Sequence, residues 1–452
     1  MKPARAVTAF VLSAAGMIWG DQPARAWSEH ALLTRPAFEG VSGVANAEQV
    51  RVEPLESFLC SEAGKLEKLL DAEEAWARKN LRWYRPRPDA LAFKAGEDKP
   101  NLRERFCRAI RINPACALAT YLQLLPNENV GHRSAVSIDR LTFLRDKSTW
   151  KGVAMVQLTA GELVSPLAVL ATASDEPDLG LDVGLFSDNG TSCGAVYGFG
   201  RQPFGNPNLD YGSQAPFHMG FYHESTIAYI LAGFLKETYP EYRIHLYKSL
   251  SEFAFRTGHP YWGWRFAGWG LHYIADLCQP YHSTALPRVS TARAIWINTL
   301  ASIGIGRPKT KAVQLVSNRH LAFERFLQLE LRKAYRSGQT NSFLLQVLRT
   351  GGPPPQYDDE TPRRRIAKFS HDMAATADRT IAECMPAKYV CDPSFEFGTS
   401  TEQDRLLDEI SAENGEAAIS RLGSVCKDLL AIYGSYARGY IGVILNNRSS
   451  RK

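Results

Sequence analysis

Residues 271–283 read LHYIADLCQPYHS. His272 and Asp276 are four residues apart, which puts both on one face of a helix. Pro280 ends or bends that helix, and His282 follows just beyond it. An imidazole and a carboxylate on one face, with a second imidazole past the break, can reach two neighbouring metal ions. The carboxylate can bridge them. Further along, RHLAFERF at 319–326 repeats the spacing with His320 and Glu324. A histidine and a carboxylate one helical turn apart form a good chelating pair for zinc.

Just upstream, HPYWGWRFAGWG at 259–270 carries Trp262, Trp264 and Trp269. These rings suit helix packing, with stacking on a base or a choline cage as the functional alternative. His132, His245 and His371 have no partner at metal spacing, and His259 reads as a core histidine.

The surrounding chain predicts a mainly α protein. Leu59, Leu66, Leu69, Leu70 and Ala77 mark an amphipathic helix over 56–82. Further helices are predicted over 101–125, 218–238, 241–255, 266–279, 290–303, 317–337, 363–385 and 402–446. Between them, 127–215 is rich in Gly, Pro, Asp and Asn and reads as a long irregular insertion with a short hairpin. No polar linker separates two folding units. Residues 27–452 are therefore expected to form one elaborated helical domain.

Composition narrows the function classes. The chain has 452 residues, 45% hydrophobic and 22% charged, which argues against disorder and coiled coil. A net charge of +6 with no Lys/Arg stripe does not suggest a DNA-binding protein. Residues 1–26 read as an export signal: Lys2 and Arg5 start it, an apolar run follows from Ala6 to Gly20, and Ala24-Arg25-Ala26 offers a cleavage site. Export to the periplasm or medium permits disulfides among the eight cysteines, and Cys384 with Cys391 is the easiest pair to imagine. No C-x-x-C occurs, so zinc-finger and thioredoxin motifs are excluded. G-x-S-x-G, P-loop and G-x-G-x-x-G motifs are absent too.

Cleavage after Ala26 would leave WSEHALLTR as the N-terminus. The free amine and carbonyl of Trp27 can chelate one metal, and His30 lies close by.

In HYIADLCQPYH, the following His-x3-Glu and the terminal Trp, the chain resembles the zinc-dependent phospholipase C family, whose superfamily includes the three-zinc single-strand nucleases. The resemblance implies a multi-helical fold and three Zn²⁺. One ion would take His272, Asp276, His218 and an upstream Asp. A second would take the Trp27 main chain, His30 and the bridging Asp276. A third would take His282, His320 and Glu324. The upstream carboxylate, implied as both ligand and catalytic group, is Asp178, with Asp175 and Asp182 as rivals. His223 is the rival of His218.

Three zinc ions with three carboxylates leave about three positive charges, a site that attracts phosphate. The expected activity is phospholipase C-like hydrolysis of a phosphoester by activated water, on a phospholipid or another phosphoester, with peripheral membrane contact. A single-strand nuclease or 3′-nucleotidase is the alternative, for which nucleic acid would be the partner. Glu324 at the third metal favours the phospholipases, since the nucleases tend to use Asp there. A secreted binding protein that has lost turnover is the reading from a different class.

Overall fold

A computed structural model describes residues 29–449, apart from 97–100, 206–210, most of 291–305, 340–341 and 353. The expected signal segment, Trp27 and most of the expected 290–303 helix lie outside the described residues.

Helix makes up 63% of the structure and strand 3%. The helices that build or support the site are α1 (Ala31–Glu39), α2 (Leu55–Asn80), α3 (Pro166–Ala173), α4 (Pro240–Arg256), α5 (Pro260–Leu277), α6 (Arg307–Arg336), α7 (Phe343–Thr350), α8 (Lys368–Cys384) and α9 (Leu406–Ser449). Strand among the described residues forms two small antiparallel pairs. Val50–Arg51 (β1) pairs with Leu163–Val164 (β4), and Tyr121–Leu124 (β2) with Ala154–Gln157 (β3). No described helix is long and apolar enough to cross a membrane.

Helix α5 is the axis of the molecule. Pro260 sits in its first turn, where a missing N–H does no harm, and every residue from Tyr261 to Leu277 is buried. A helix buried all round needs neighbours on all sides. α4 returns antiparallel along it, with Ser251 donating from Oγ to the Gly263 carbonyl at 2.7 Å. α3 crosses another face, and the glycines there allow the approach: a Cβ on Gly268 would lie 2.5 Å from the Ala173 Cβ. α9 passes so close that a Cβ on Gly270 would meet the Tyr440 hydroxyl. The three tryptophans are core residues, each 1% exposed or less, and they take no part in an open cage. Truncating any of them to alanine should cost about 3–5 kcal/mol.

Several segments depart from the sequence-based expectation. The 101–125 segment is helical only over Leu102–Ala109. Asn113-Pro114 breaks it, and Tyr121–Leu124 leaves as strand β2. The 218–238 segment splits into Thr226–Leu231 and a 3₁₀ turn at Gly233–Lys236. The 127–215 stretch is more than a covering loop: it supplies β3, β4 and the buried helix α3. The hairpin expected within the stretch is replaced by longer-range pairing, since β3 pairs with β2 and β4 with β1, both of which precede it in the chain. All eight cysteines are free thiols. Cys384 is buried at the end of α8 while Cys391 is exposed, so the two sulfurs sit in different environments and the expected pair is not formed.

Candidate metal centre

The last two turns of α5 carry His272 and Asp276 inward, both fully buried. Gln279 then caps the break, its Oε1 accepting from the Tyr281 N–H at 2.7 Å. The short helix Pro280–Ser283 turns His282 back toward the same interior. α6 brings His320 and Glu324, buried on one face as the spacing requires.

Three groups of side chains converge that can hold metal ions: His30 with His272 and Asp276, Asp178 with His218 and His272, and His282 with His320 and Glu324. Asp276 lies between the first two. Its Oδ1 is 3.3 Å from His30 Nε2, while its Oδ2 is 2.9 Å from His218 Nδ1 and 3.2 Å from His272 Nε2. Oδ2 nonetheless accepts no well-aligned hydrogen bond. In the third group His320 Nε2 stands 2.8 Å from Glu324 Oε1 and 3.1 Å from His282 Nε2. His30 Nδ1, His218 Nε2, His320 Nδ1 and Glu324 Oε2 are further buried atoms without a hydrogen-bond partner. Buried polar atoms are normally satisfied, so the unmet carboxylate oxygens Asp276 Oδ2 and Glu324 Oε2 point to a cation as their partner. The unmet ring nitrogens lie on the far side of their rings, with His30 Nδ1 3.4 Å from Asp175 and His218 Nε2 3.5 Å from Asp182.

The electrostatics agree. Burial works against charge on His30, but Asp175, Asp276 and Asp178 overcome it and push its pKa up to about 10. His218 is also raised to about 10: burial opposes, and Asp276, Asp182 and Asp178 prevail. His272 and His320 are lowered, chiefly by burial. The Asp276 carboxyl resists the upward pull of burial and stays well below its usual range, because His272 and His218 surround it. The cluster thus draws positive charge, from protons when nothing else supplies it.

Supporting residues fix the rings. His272 Nδ1 lies 2.8 Å from the Ser174 carbonyl, which directs Nε2 inward. Asp178 Oδ1 accepts from Gln214 Nε2 at 2.8 Å, and its side chain is 12% exposed, against 2% or less for the other members of the three groups.

The two rival aspartates have other duties. Asp175 accepts from the main-chain N–H groups of His30 (2.5 Å) and Ala31 (3.2 Å), capping α1 from a different part of the chain. Asp182 binds Arg243 at 2.6 Å and accepts from the Tyr273 hydroxyl, standing behind His218 at 3.5 Å. His223 contacts the Arg363 carbonyl at 2.8 Å, outside the three groups. His245 and His259 pair with Glu73 and Glu53 away from the cluster. His371, read from the sequence as uninvolved, lies 3.2 Å from the Ser283 carbonyl, one residue past His282.

Sequence reasoning missed the clamps that seat the acidic turn. Glu176 holds Arg265 of α5 through two contacts of 2.8 Å and accepts from Trp269 Nε1 at 2.5 Å. Glu29 is held by Arg332 and by Gln328 Nε2 (3.0 Å) of α6, and it adopts a left-handed φ of 63°. Such a backbone is uncommon outside glycine, so these contacts fix the entry into α1 and the place of His30. The charge at 29 and 176 was visible in sequence, but its partners lie hundreds of positions or several elements away.

Compared with family models, with curated proteins and with solved structures, the chain matches none.

Proposed function

We propose that the protein is an exported zinc-dependent phosphoester hydrolase of the phospholipase C type, with three metal positions. The observation that carries this reading is the convergence of the three groups around Asp276. Tetrahedral zinc with bonds of roughly 2.0–2.2 Å places its ligand atoms about 3.4 Å apart. The separations in the third group, 2.8, 3.1 and 3.5 Å, bracket that value. Those of Asp178, His218 and His272, at 3.0, 3.8 and 3.9 Å, need only a small closure. Donors are imidazole nitrogen and carboxylate oxygen alone, a set that suits zinc.

Zinc in such a site lowers the pKa of water and offsets charge on a phosphoryl group. The protein's part is to position and to move protons. Asp276 offers one oxygen to each side and so fixes the spacing of two positions. His272 is locked in one ring orientation by the Ser174 carbonyl. Asp178 is the most open carboxylate of the cluster, held by Gln214 at one oxygen. It is the group suited to take a proton from attacking water. A cavity of about 400 Å³ reaches Glu324 from the surface, between Lys151, Ser148, Arg325, Gln328 and Asp404. It provides an approach for a polar substrate head.

The test is metal content and hydrolysis by the purified protein on phosphatidylcholine, single-stranded DNA and a 3′-nucleotide. Close to three zinc per chain with release of a phosphorylated headgroup is expected. Cleavage of DNA or of the 3′-nucleotide alone would shift the assignment to a nuclease. Full zinc with no turnover would make it a binding protein, and absence of bound zinc would end the reading.

A further inference from the structure

A second cavity, of about 390 Å³, lies between the loop after α2 and the short helix Thr226–Leu231. Arg82, Lys236 and Arg363 line it together with Trp83, Tyr229 and Ile230, and no carboxylate does. Arg363 is committed to Glu241 at 3.0 Å. Arg82 and Lys236 find aromatic faces instead, 4.8 and 4.9 Å from the Trp83 ring, and Lys236 is 5.3 Å from Tyr229. Among the described residues, no carboxylate pairs with either.

Around these cations stand large apolar side chains in water: Ile230 is 67% exposed, Ile227 43% and Trp83 42%. Scattered exposed hydrophobics need no explanation, but Trp83 and Ile230 lining a cavity with two unpaired cations, and Ile227 beside them in the same short helix as Ile230, do. The combination fits a boundary where acyl chains meet charged headgroups. Tryptophan settles at that level, aliphatic side chains enter the acyl region, and Lys and Arg meet anionic lipid.

We infer that this face docks the protein onto an anionic lipid surface, with headgroup phosphates between Arg82 and Lys236 and with Trp83, Ile227 and Ile230 entering the interface. One wall of the cavity is joined by a short run of chain to the candidate metal centre. Phe221 and Tyr222 line it three and four residues after His218, and the Gly220 N–H donates to the His282 carbonyl at 2.7 Å. The docking surface is independent of the hydrolase reading and would stand without it.

The experiment is vesicle co-sedimentation of the full mature chain. Vesicles of phosphatidylcholine are compared with vesicles containing one-third phosphatidylglycerol. Wild type should bind the anionic vesicles and release as salt is raised. Arg82→Gln with Lys236→Gln should weaken partitioning about 30-fold, which is about 1 kcal/mol for each cation. Ile227→Ser with Ile230→Ser keeps every charge and should still weaken it severalfold, whereas Arg421→Gln should bind as wild type. All variants are at exposed or half-buried positions, and an unchanged melting temperature verifies their folding. Equal binding to both vesicle types, or anionic binding that survives both double substitutions, would overturn the inference. So would complete displacement by millimolar inorganic phosphate, which would identify a site for a soluble anion.

Discussion

Asp276 is the residue on which the centre turns, because its two oxygens face different histidines. Asp276→Asn keeps the shape and removes the charge, and an amide bridges metals poorly. Changes one layer further out already lower metal affinity or activity 10–100-fold. Asp276→Asn is expected to lower zinc affinity at least that much and to release two ions, while Glu324→Gln releases one and His259→Gln none. Elemental analysis of the three variants beside wild type decides it: full zinc in Asp276→Asn would remove the bridging role. The sequence displayed this residue because its partner His272 is one turn away. It did not separate Asp178 from Asp175 and Asp182. All three stand in one acidic stretch, and what distinguishes them is long-range. Asp175 is occupied by the N–H groups of His30 and Ala31, and Asp182 by Arg243. Only Asp178 joins a metal-competent group.

Among elements, the packing of α3 on α5 decides where the acidic turn sits. Adding one methyl at Gly268 would bring it to 2.5 Å from the Ala173 Cβ and 2.7 Å from the Leu170 carbonyl. Gly268→Ala gains helix propensity yet forces the helices apart, and overpacking of this kind costs about 1–3 kcal/mol. The variant should melt several degrees lower and bind less zinc, because Asp175 and Asp178 follow directly after α3. Unchanged melting would mean that α3 is free to shift. The clamp on the other side is Arg243–Asp182, both fully buried. Arg243→Met strands the Asp182 charge and should cost about 3–5 kcal/mol, read from the urea midpoint. Asp182→Asn added to it should recover part of the loss. Helices with a polar face were legible from spacing, as at Leu55–Asn80 and Pro240–Arg256. α5 begins six residues earlier than its expected start because it is buried all round, so it has no polar face to set the period. The strand at Tyr121–Leu124 was hidden because its partner, Ala154–Gln157, is thirty residues on.

For the whole molecule, the candidate centre is also a structural tie. It gathers buried charge from α1, the acidic turn, α5 and α6. Under the zinc reading, removing the metal leaves that charge uncompensated. Free zinc at 100 times its dissociation constant stabilises the folded state by about 2.7 kcal/mol. Chelation is therefore expected to lower the melting temperature by several degrees, reversed on adding zinc but not magnesium. An identical melt with and without chelator would deny the tie. The mainly helical class and the paired His/acid spacings could be read from the chain, since both are local. The free thiols and the core role of 127–215 could not, since both depend on what is packed alongside. The ligands also have an order in time. His30 meets Asp276 across 246 positions, and His282 meets His320 across 38. A chain made from its N-terminus holds His30 early but has no complete third group until Glu324 has been added. Under the zinc reading, metal capture would thus be a closing step of biogenesis. A chain cut short before α6 cannot complete the third group, so on that reading zinc content would separate finished molecules from truncated ones.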